Sequence, residues 1–171
     1  AVFYDPNLSE AYYELGIIYG KRSQYKEEID SFQRLTKLDH TNAEAYLRVG
    51  VDYFKNGELD QALRCFRQSD RNKPNQPDTL YYFAKVYEQK EMYPEAVYHY
   101  VAAIILGSTR LAEICERIWF ISKIPNQLQM VLEQLMMIKT TGRDALWEEI
   151  DQYIKKDTPS GFRRQSDKAL Q

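Results

Sequence analysis

The residues that could carry acid–base or metal chemistry in this sequence are two histidines and a few neighbouring carboxylates. His40 falls in a turn and His99 in a helical pattern, and neither has a further ligand at the spacing of a metal-binding helix. The carboxylates have the pattern of solvated helix faces rather than of general acid–base pairs: Glu27, Glu28, Glu148, Glu149 and Asp151. A glycine-rich phosphate loop and a nucleophile elbow are also absent from the sequence. We therefore expect no catalytic residue, no metal, no cofactor and no enzymatic activity.

Net charge, hydropathy and cysteine usage argue against further classes of protein. The 23 basic and 25 acidic residues give a net charge of −2, which argues against a nucleic-acid-binding protein. No apolar run approaches the roughly 18 to 20 residues that cross a bilayer, so we predict no membrane span in this segment. Cys65 and Cys115 fall inside helical patterns and are expected to be small buried side chains, not a disulfide or a metal site. This usage favours a reducing, cytoplasmic compartment, although a cysteine-poor helical protein also suits a periplasm.

The elements that position these residues follow from a period of 34. Glycine, alanine and aromatic residues recur at this interval in four columns: Gly16, Gly50 and Ala84; Tyr19, Tyr53 and Tyr87; Phe32, Phe66 and Tyr100; Tyr12, Tyr46 and Leu80. A repeat of this length indicates stacked helix pairs rather than one core around a buried active site. The small residues allow two helices to approach closely, and the aromatic residues fill the space beside them, so most of the 14 tyrosines are expected to be structural.

Apolar residues at intervals of three and four predict two helices in each unit. In the first unit Leu8, Tyr12, Leu15 and Tyr19 predict one buried face, and Ser9 is expected to cap the helix. Gly57 stands where a helix of the second unit needs a left-handed terminal residue. Residues 1–7 occupy the same frame as residues 35–41, so we expect a fragment of a longer chain with part of another repeat upstream.

At these columns the chain resembles the tetratricopeptide repeat family. The second unit carries the family pattern best, with Tyr46, Gly50, Tyr53, Ala62, Phe66 and Pro74. The resemblance covers about residues 1 to 108 and implies an all-α fold, a right-handed superhelical solenoid of antiparallel helix hairpins. We predict six segments: the end of a preceding repeat (1–8), three hairpins (9–42, 43–76 and 77–108), a degenerate fourth hairpin (109–142), a C-terminal capping helix (143–156) and a flexible tail (157–171).

The resemblance also implies a concave inner face lined by the first helix of each hairpin. The residues that face away from the core columns define a predicted partner-binding groove: Tyr13, Ile17, Leu47, Arg48, Val51, Tyr81, Tyr82 and Lys85. Its aromatic and aliphatic floor, with Arg48 and Lys85 among the apolar side chains, is suited to an apolar or amphipathic peptide segment. We therefore predict a protein-interaction scaffold or adaptor. Neighbouring units or the C-terminal helix could instead cover part of this strip.

One subclass of the family binds acidic C-terminal peptides of chaperones through a clamp of Lys, Asn and Arg. The corresponding positions here are Tyr13, Ile17, Arg48, Asp78 and Tyr82, of which only Arg48 is basic, so this partner is disfavoured. Two alternatives stay open. The array could assemble with further copies of itself as a homo-oligomer, or it could select substrates for a larger enzyme whose catalytic domain lies elsewhere.

Overall fold

The computed structural model describes residues 6–140 together with residues 142, 145, 146 and 148. The described residues form helices and contain no strand, which confirms the predicted all-α class of helix hairpins. The helices are α1 (Pro6–Lys21), α2 (Tyr25–Leu38), α3 (Ala43–Lys55), α4 (Leu59–Asn72), α5 (Pro77–Gln89), α6 (Tyr93–Ile105), α7 (Leu111–Ser122) and α8 (Leu128–Thr140).

The chain divides into two compact units, and the division falls within α5, between Tyr82 and Phe83. In the first unit α1 packs on α2, α2 on α3, and α3 on α4, so each helix contacts the next one along the chain. Connections of three or four residues join these helices, which makes them hairpins of antiparallel neighbours. In the second unit α6, α7 and α8 contact one another.

The core of the first unit forms where successive hairpins meet. Phe32 and Leu35 of α2 are buried together with Ala45 and Val49 of α3. The aromatic column is fully buried, because Phe32, Phe66 and Tyr100 all have no exposed surface. A methyl group added at Gly16 would lie 2.7 Å from the ring of Phe32, so the small residue at this position is required by the contact between the two helices of the hairpin.

The backbone conformation of the turns also repeats every 34 residues. Ser23, Gly57 and Glu91 are each 34 positions apart, and all three adopt a left-handed conformation, with φ of 58°, 79° and 59°. At each turn the next amide donates to a carbonyl five residues earlier, as from Glu58 to Tyr53 at 2.8 Å. This bond satisfies an end carbonyl of the first helix and fixes the reversal into the second. The sequence predicted the conformation only at Gly57.

The first helix differs from its prediction at its start. α1 begins at Pro6, so Ser9 lies inside the helix, where its side chain is buried, and does not cap it. Asn42 does cap α3, because its side-chain oxygen accepts a 2.9 Å hydrogen bond from the amide of Ala45. Leu8 and Leu15, predicted to be buried, are exposed. Tyr12 and Tyr19 on the same predicted face are half-buried.

The second unit has its own apolar core, in which aliphatic side chains surround the buried ring of Tyr100. Fully buried aliphatic side chains come from each of its three complete helices: Val97, Ile104, Ile114, Ile121, Val131 and Ile138. The carboxylate of Glu88 accepts hydrogen bonds from the Tyr100 hydroxyl, at 2.8 Å, and from the Arg117 guanidinium. This link connects α5, α6 and α7 within the second unit.

Residues 145, 146 and 148 are helical, at the start of the predicted capping helix. Most of that helix, the predicted tail (157–171) and residues 1–5 lie outside the described residues. The proposed division into six segments therefore stays a prediction.

Candidate functional site

Seven of the eight predicted groove residues lie in the first unit, and we call these the inner strip: Tyr13 and Ile17 of α1; Leu47, Arg48 and Val51 of α3; Tyr81 and Tyr82 of α5. Positions 13, 47 and 81 belong to one 34-residue column, and positions 48 and 82 to the next. The strip is thus made of equivalent positions on successive first helices.

On α1, Tyr13 and Ile17 are one helical turn apart and form a continuous apolar surface. Both side chains are half-buried and pack against the cluster around Phe32. The Tyr13 ring meets the Phe32 ring edge-on, with centroids 6.2 Å apart and an interplanar angle of 73°. Because their inner sides are fixed by the core, these two side chains offer a rigid apolar surface on their outer sides.

On α3, Leu47 and Val51 repeat this arrangement at the equivalent positions. They are again one turn apart and half-buried, so each keeps part of its apolar surface exposed. Arg48 stands beside them with its guanidinium 5.9 Å from the centre of the Phe32 ring, the ring that Tyr13 also contacts. The α1 and α3 parts of the strip therefore meet at Phe32.

The charge of Arg48 is balanced within the protein. Its Nε donates to Glu44 at 2.7 Å and its terminal nitrogen donates to Glu28 at 3.3 Å. Burial opposes the charged form, but the hydrogen bond to Glu44 and the charges of Glu44 and Glu28 outweigh it and raise the pKa of Arg48. Arg48 is thus a paired cation that links α2 to α3.

Glu28 is a site residue that the sequence interpretation missed, because it was assigned to a solvated carboxylate run. Its carboxylate is buried, with 7% of the residue exposed, and lies against Gly20, where an added methyl group would be 3.0 Å from Oε1. The equivalent positions in the next two repeats are Ala62 and Ala96, both fully buried. The sequence signal that could have identified Glu28 is a charged residue at a position where the next two repeats have alanine.

Of the two tyrosines of α5, Tyr81 is buried and Tyr82 is half-buried. Tyr81 is only 4% exposed. Tyr82 stacks on Phe66 with centroids 5.7 Å apart, and it meets the rings of Phe54 and Tyr81 edge-on. Tyr82 therefore contacts Phe66 as Arg48 contacts Phe32, one repeat later. Tyr82 is half-buried, as are the apolar side chains of the strip on α1 and α3, whereas Tyr81 contributes little accessible surface.

The eighth predicted residue, Lys85, belongs to the second unit. Its Nζ lies 3.9 Å from a carboxylate oxygen of Glu113 on α7.

The histidines and cysteines take part in packing. His40 Nδ1 lies 3.4 Å from the Tyr46 hydroxyl, and the His99 ring stacks on Tyr87 with centroids 5.4 Å apart. Cys65 and Cys115 are not in a disulfide, and burial raises the pKa of Cys65 against the opposing charge of Arg64. Within the described part of the chain, no three His, Cys, Asp or Glu side chains are placed to hold a metal ion. None of the described helices is long and apolar enough to cross a membrane.

Comparison with sequence families identifies the repeats. The family model described as tetratricopeptide repeat matches residues 9–42 and 43–76. These two matches contain α1 from Ser9 onwards, α2 to α4, and the α1 and α3 residues of the inner strip.

Two curated relatives share part of the sequence. The chain is 26% identical over 81 residues to the photosystem I assembly protein Ycf3 of a Synechococcus species, covering 46% of this chain and 47% of that protein. It is 24% identical over 82 residues to the Ycf3 of Prochlorococcus marinus, with the same coverage of 46% and 47%. The matched region thus spans about half the length of these relatives.

Solved structures with a similar fold cover most of the chain. A crystal structure of MamA has a TM-score of 0.63 at 15% identity, covering 97% of this chain and 90% of that one. The Yersinia enterocolitica type III secretion chaperone SycD, in complex with a peptide of the translocator YopD, has a TM-score of 0.52 at 20% identity, covering 86% and 94%. At these identities the likeness establishes the fold.

Proposed function

We propose that this chain, a tetratricopeptide repeat protein, is a non-enzymatic scaffold that binds an apolar or amphipathic peptide segment on its inner strip. The observation that carries the proposal is the set of four half-buried apolar side chains at equivalent positions of two neighbouring first helices: Tyr13, Ile17, Leu47 and Val51. Their remaining exposed surface is what a bound peptide would cover.

The energetics of such a surface favour binding. Tyr13 and Ile17 already pack against the core on one side, so little rotamer entropy is lost when a ligand covers the other side. Apolar surface removed from water contributes about 25 cal/mol per Å². The aromatic ring of Tyr13 is of the residue type that most often dominates the binding energy of interfaces.

Charge supports an apolar ligand over an acidic one. Arg48, the single cation of the strip, is paired with Glu44 and Glu28. A peptide carboxylate would compete with both glutamates and would meet their negative charge, so a terminal carboxylate clamp is disfavoured here.

Similar proteins are consistent with a scaffold role. SycD was crystallised with a peptide of YopD, and Ycf3 carries the name of an assembly protein. For the present chain these names support binding of a protein segment.

A peptide-display library selected on the purified chain tests the proposal. We expect enriched peptides to be apolar or amphipathic and to bind a Val51→Glu variant at least about tenfold more weakly, a loss of about 1.4 kcal/mol. The reason is that the new carboxylate must be desolvated under the ligand. Binding is measured by fluorescence anisotropy with labelled, selected peptides.

Tyr25→Glu is the matched control, since Tyr25 is 62% exposed and lies at the start of α2, outside the strip. Both variants are checked for unchanged helical circular dichroism and unfolding midpoint. Failure to enrich any peptide would contradict the proposal, as would selected peptides that bind Val51→Glu as tightly as the unaltered chain.

A further inference from the structure

On α1 and α3, a charged residue stands three positions before each apolar residue of the inner strip: Glu10 before Tyr13, Glu14 before Ile17, Glu44 before Leu47 and Arg48 before Val51. Residues three apart are neighbours on a helix surface, so these charges lie beside the apolar side chains. Three of the four are carboxylates. The strip is therefore bordered mainly by negative charge, although the whole chain has a net charge of only −2.

The two carboxylates of α1 are open to a ligand. Glu10 and Glu14 are exposed, and none of the ion pairs between described residues involves either of them. Both lie beyond the first turn of α1, which begins at Pro6, so stabilisation of the helix end does not explain them. Like charges four residues apart destabilise the helix that carries them. A cation bound beside both carboxylates would remove this repulsion.

Arg48 does not neutralise the border of the strip on α3. Its guanidinium pairs with Glu44 at 2.7 Å and with Glu28 at 3.3 Å, so two carboxylates share one positive charge. Glu28 is buried, whereas 40% of the Glu44 side chain is exposed. Glu44 is therefore accessible to a second cation, which would complete the balance of charge in this group.

The negative charge lies on one side of the strip. Lys21 and Lys55 stand four residues after Ile17 and Val51, in the last turns of α1 and α3. Since α1 and α3 are each antiparallel to α2, they run parallel, and their lysines lie on the side opposite the carboxylates. Glu10 and Lys21 are eleven positions apart, about 16 Å along the helix. An α-helix about 10 to 12 Å in diameter therefore fits across α1 and α3 between the two borders.

We propose that the inner strip takes an amphipathic helix with lysine or arginine along one flank, and that this flank lies against Glu10, Glu14 and Glu44. The inference rests on the proposed function and adds the charge and orientation of the ligand. The other flank of the bound helix faces Lys21 and Lys55 and is neutral or acidic. A helix with carboxylates on the first flank is rejected, because like charges would then meet across the interface.

Selection from a defined peptide library tests the charge preference. The library contains 14-residue segments, about 21 Å long as helices, with Phe, Leu, Ile or Val at positions spaced by three and four. The remaining positions carry Lys, Gln or Glu in equal proportion. In peptides selected on the unaltered chain we expect lysine to exceed glutamate at least about threefold on one flank, since an exposed ion pair strengthens an interaction by up to about fivefold.

Glu10→Gln combined with Glu14→Gln removes two carboxylates of the border and also their repulsion, so α1 is not weakened. The selected lysine peptides should bind this double variant at least about threefold more weakly, measured by fluorescence anisotropy in about 50 mM salt. Versions of the same peptides with glutamine in place of lysine should bind both chains equally. In about 500 mM salt, where screening shortens the range of attraction to about 4 Å, the difference between the two chains should disappear.

Glu95→Gln combined with Glu116→Gln is the matched control. Both residues are exposed and belong to the second unit, and the net charge changes by the same amount. The lysine peptides should bind this control as they bind the unaltered chain. All three chains are compared by helical circular dichroism before binding is measured.

The outcomes separate this inference from the proposed function. Enriched amphipathic peptides with as much glutamate as lysine would overturn the inference and leave the proposed function intact, whereas failure to enrich any peptide would overturn both. Lysine peptides that bind the α1 double variant as tightly as the unaltered chain would also overturn the inference. An equal loss of binding in the control would do the same, because the preference would then come from overall charge.

Discussion

Replacing Gly50 by alanine changes the free energy of unfolding through two opposing effects, a gain in helix propensity and a loss from overpacking. The sign of the total change shows which effect is larger. A methyl group at this position would lie 2.5 Å from Cε1 and 2.7 Å from Cδ1 of Phe66, and 3.1 Å from Cβ of Cys65. Ordinary carbon–carbon contacts lie at about 3.5 to 4.0 Å. The Phe66 ring has no exposed surface and is stacked against Tyr82, so it has little room to move away.

Gly50→Ala therefore combines a gain and a loss. Replacing glycine by alanine inside a helix stabilises it by about 1 kcal/mol. Overpacking a filled core costs about 1 to 3 kcal/mol, and the enclosed ring places this site in the upper half of that range. We expect the free energy of unfolding to fall by about 1 to 2 kcal/mol in total.

Urea denaturation followed by helical circular dichroism measures the change in the free energy of unfolding. The comparison is valid when the dependence of this free energy on urea concentration is the same in both chains. The matched background is Phe66→Leu, whose smaller side chain leaves space for the new methyl group. There, Gly50→Ala should cost at least about 0.5 kcal/mol less than in the unaltered chain. A Gly50→Ala chain that is more stable by about 1 kcal/mol would refute the close-contact argument, because helix propensity alone predicts that result.

Two further predictions concern the turns and the second unit. Glu91→Gly should raise the free energy of unfolding by about 0.5 to 1 kcal/mol, because glycine removes the strain of the left-handed conformation. Gly57→Ala should lower the free energy of unfolding for the same reason. If both substitutions change it in the same direction in urea denaturation, this explanation is contradicted. Tyr100→Phe should cost about 1.5 to 3 kcal/mol, since it removes the hydrogen bond to the carboxylate of Glu88. Tyr98→Phe, at an exposed position of the same helix, should change little, and a similar loss in both variants would speak against that role.

The fold was predictable from the sequence because residues that are 34 positions apart pack in equivalent ways. The column of Phe32, Phe66 and Tyr100 predicted the fully buried aromatic residues, and the small residues Gly16 and Gly50 predicted the close approach beneath them. Side-chain type and spacing are sufficient for such features, since a 34-residue repeat places equivalent residues in equivalent surroundings.

Features that depend on backbone conformation rather than residue type were missed. Ser23 and Glu91 adopt the same left-handed turn as Gly57, but their side chains carry no signal for it. The exposure of Leu8 and Leu15 was missed for another reason. Apolar periodicity predicts a face that packs, whereas its exposure depends on which helix lies next to it.

The candidate site shows why surface and core cannot be separated by sequence pattern in this chain. Arg48 and Tyr82 were predicted as groove residues, and each contacts the buried ring of the preceding second helix, Phe32 or Phe66. A position adjacent to the aromatic column can therefore face a ligand and hold the hairpins together at once. Mutations at such positions change stability and binding together, so the binding test uses Val51, a half-buried aliphatic residue of the strip. If Val51→Glu leaves peptide binding intact while the fold persists, the inner strip serves packing alone.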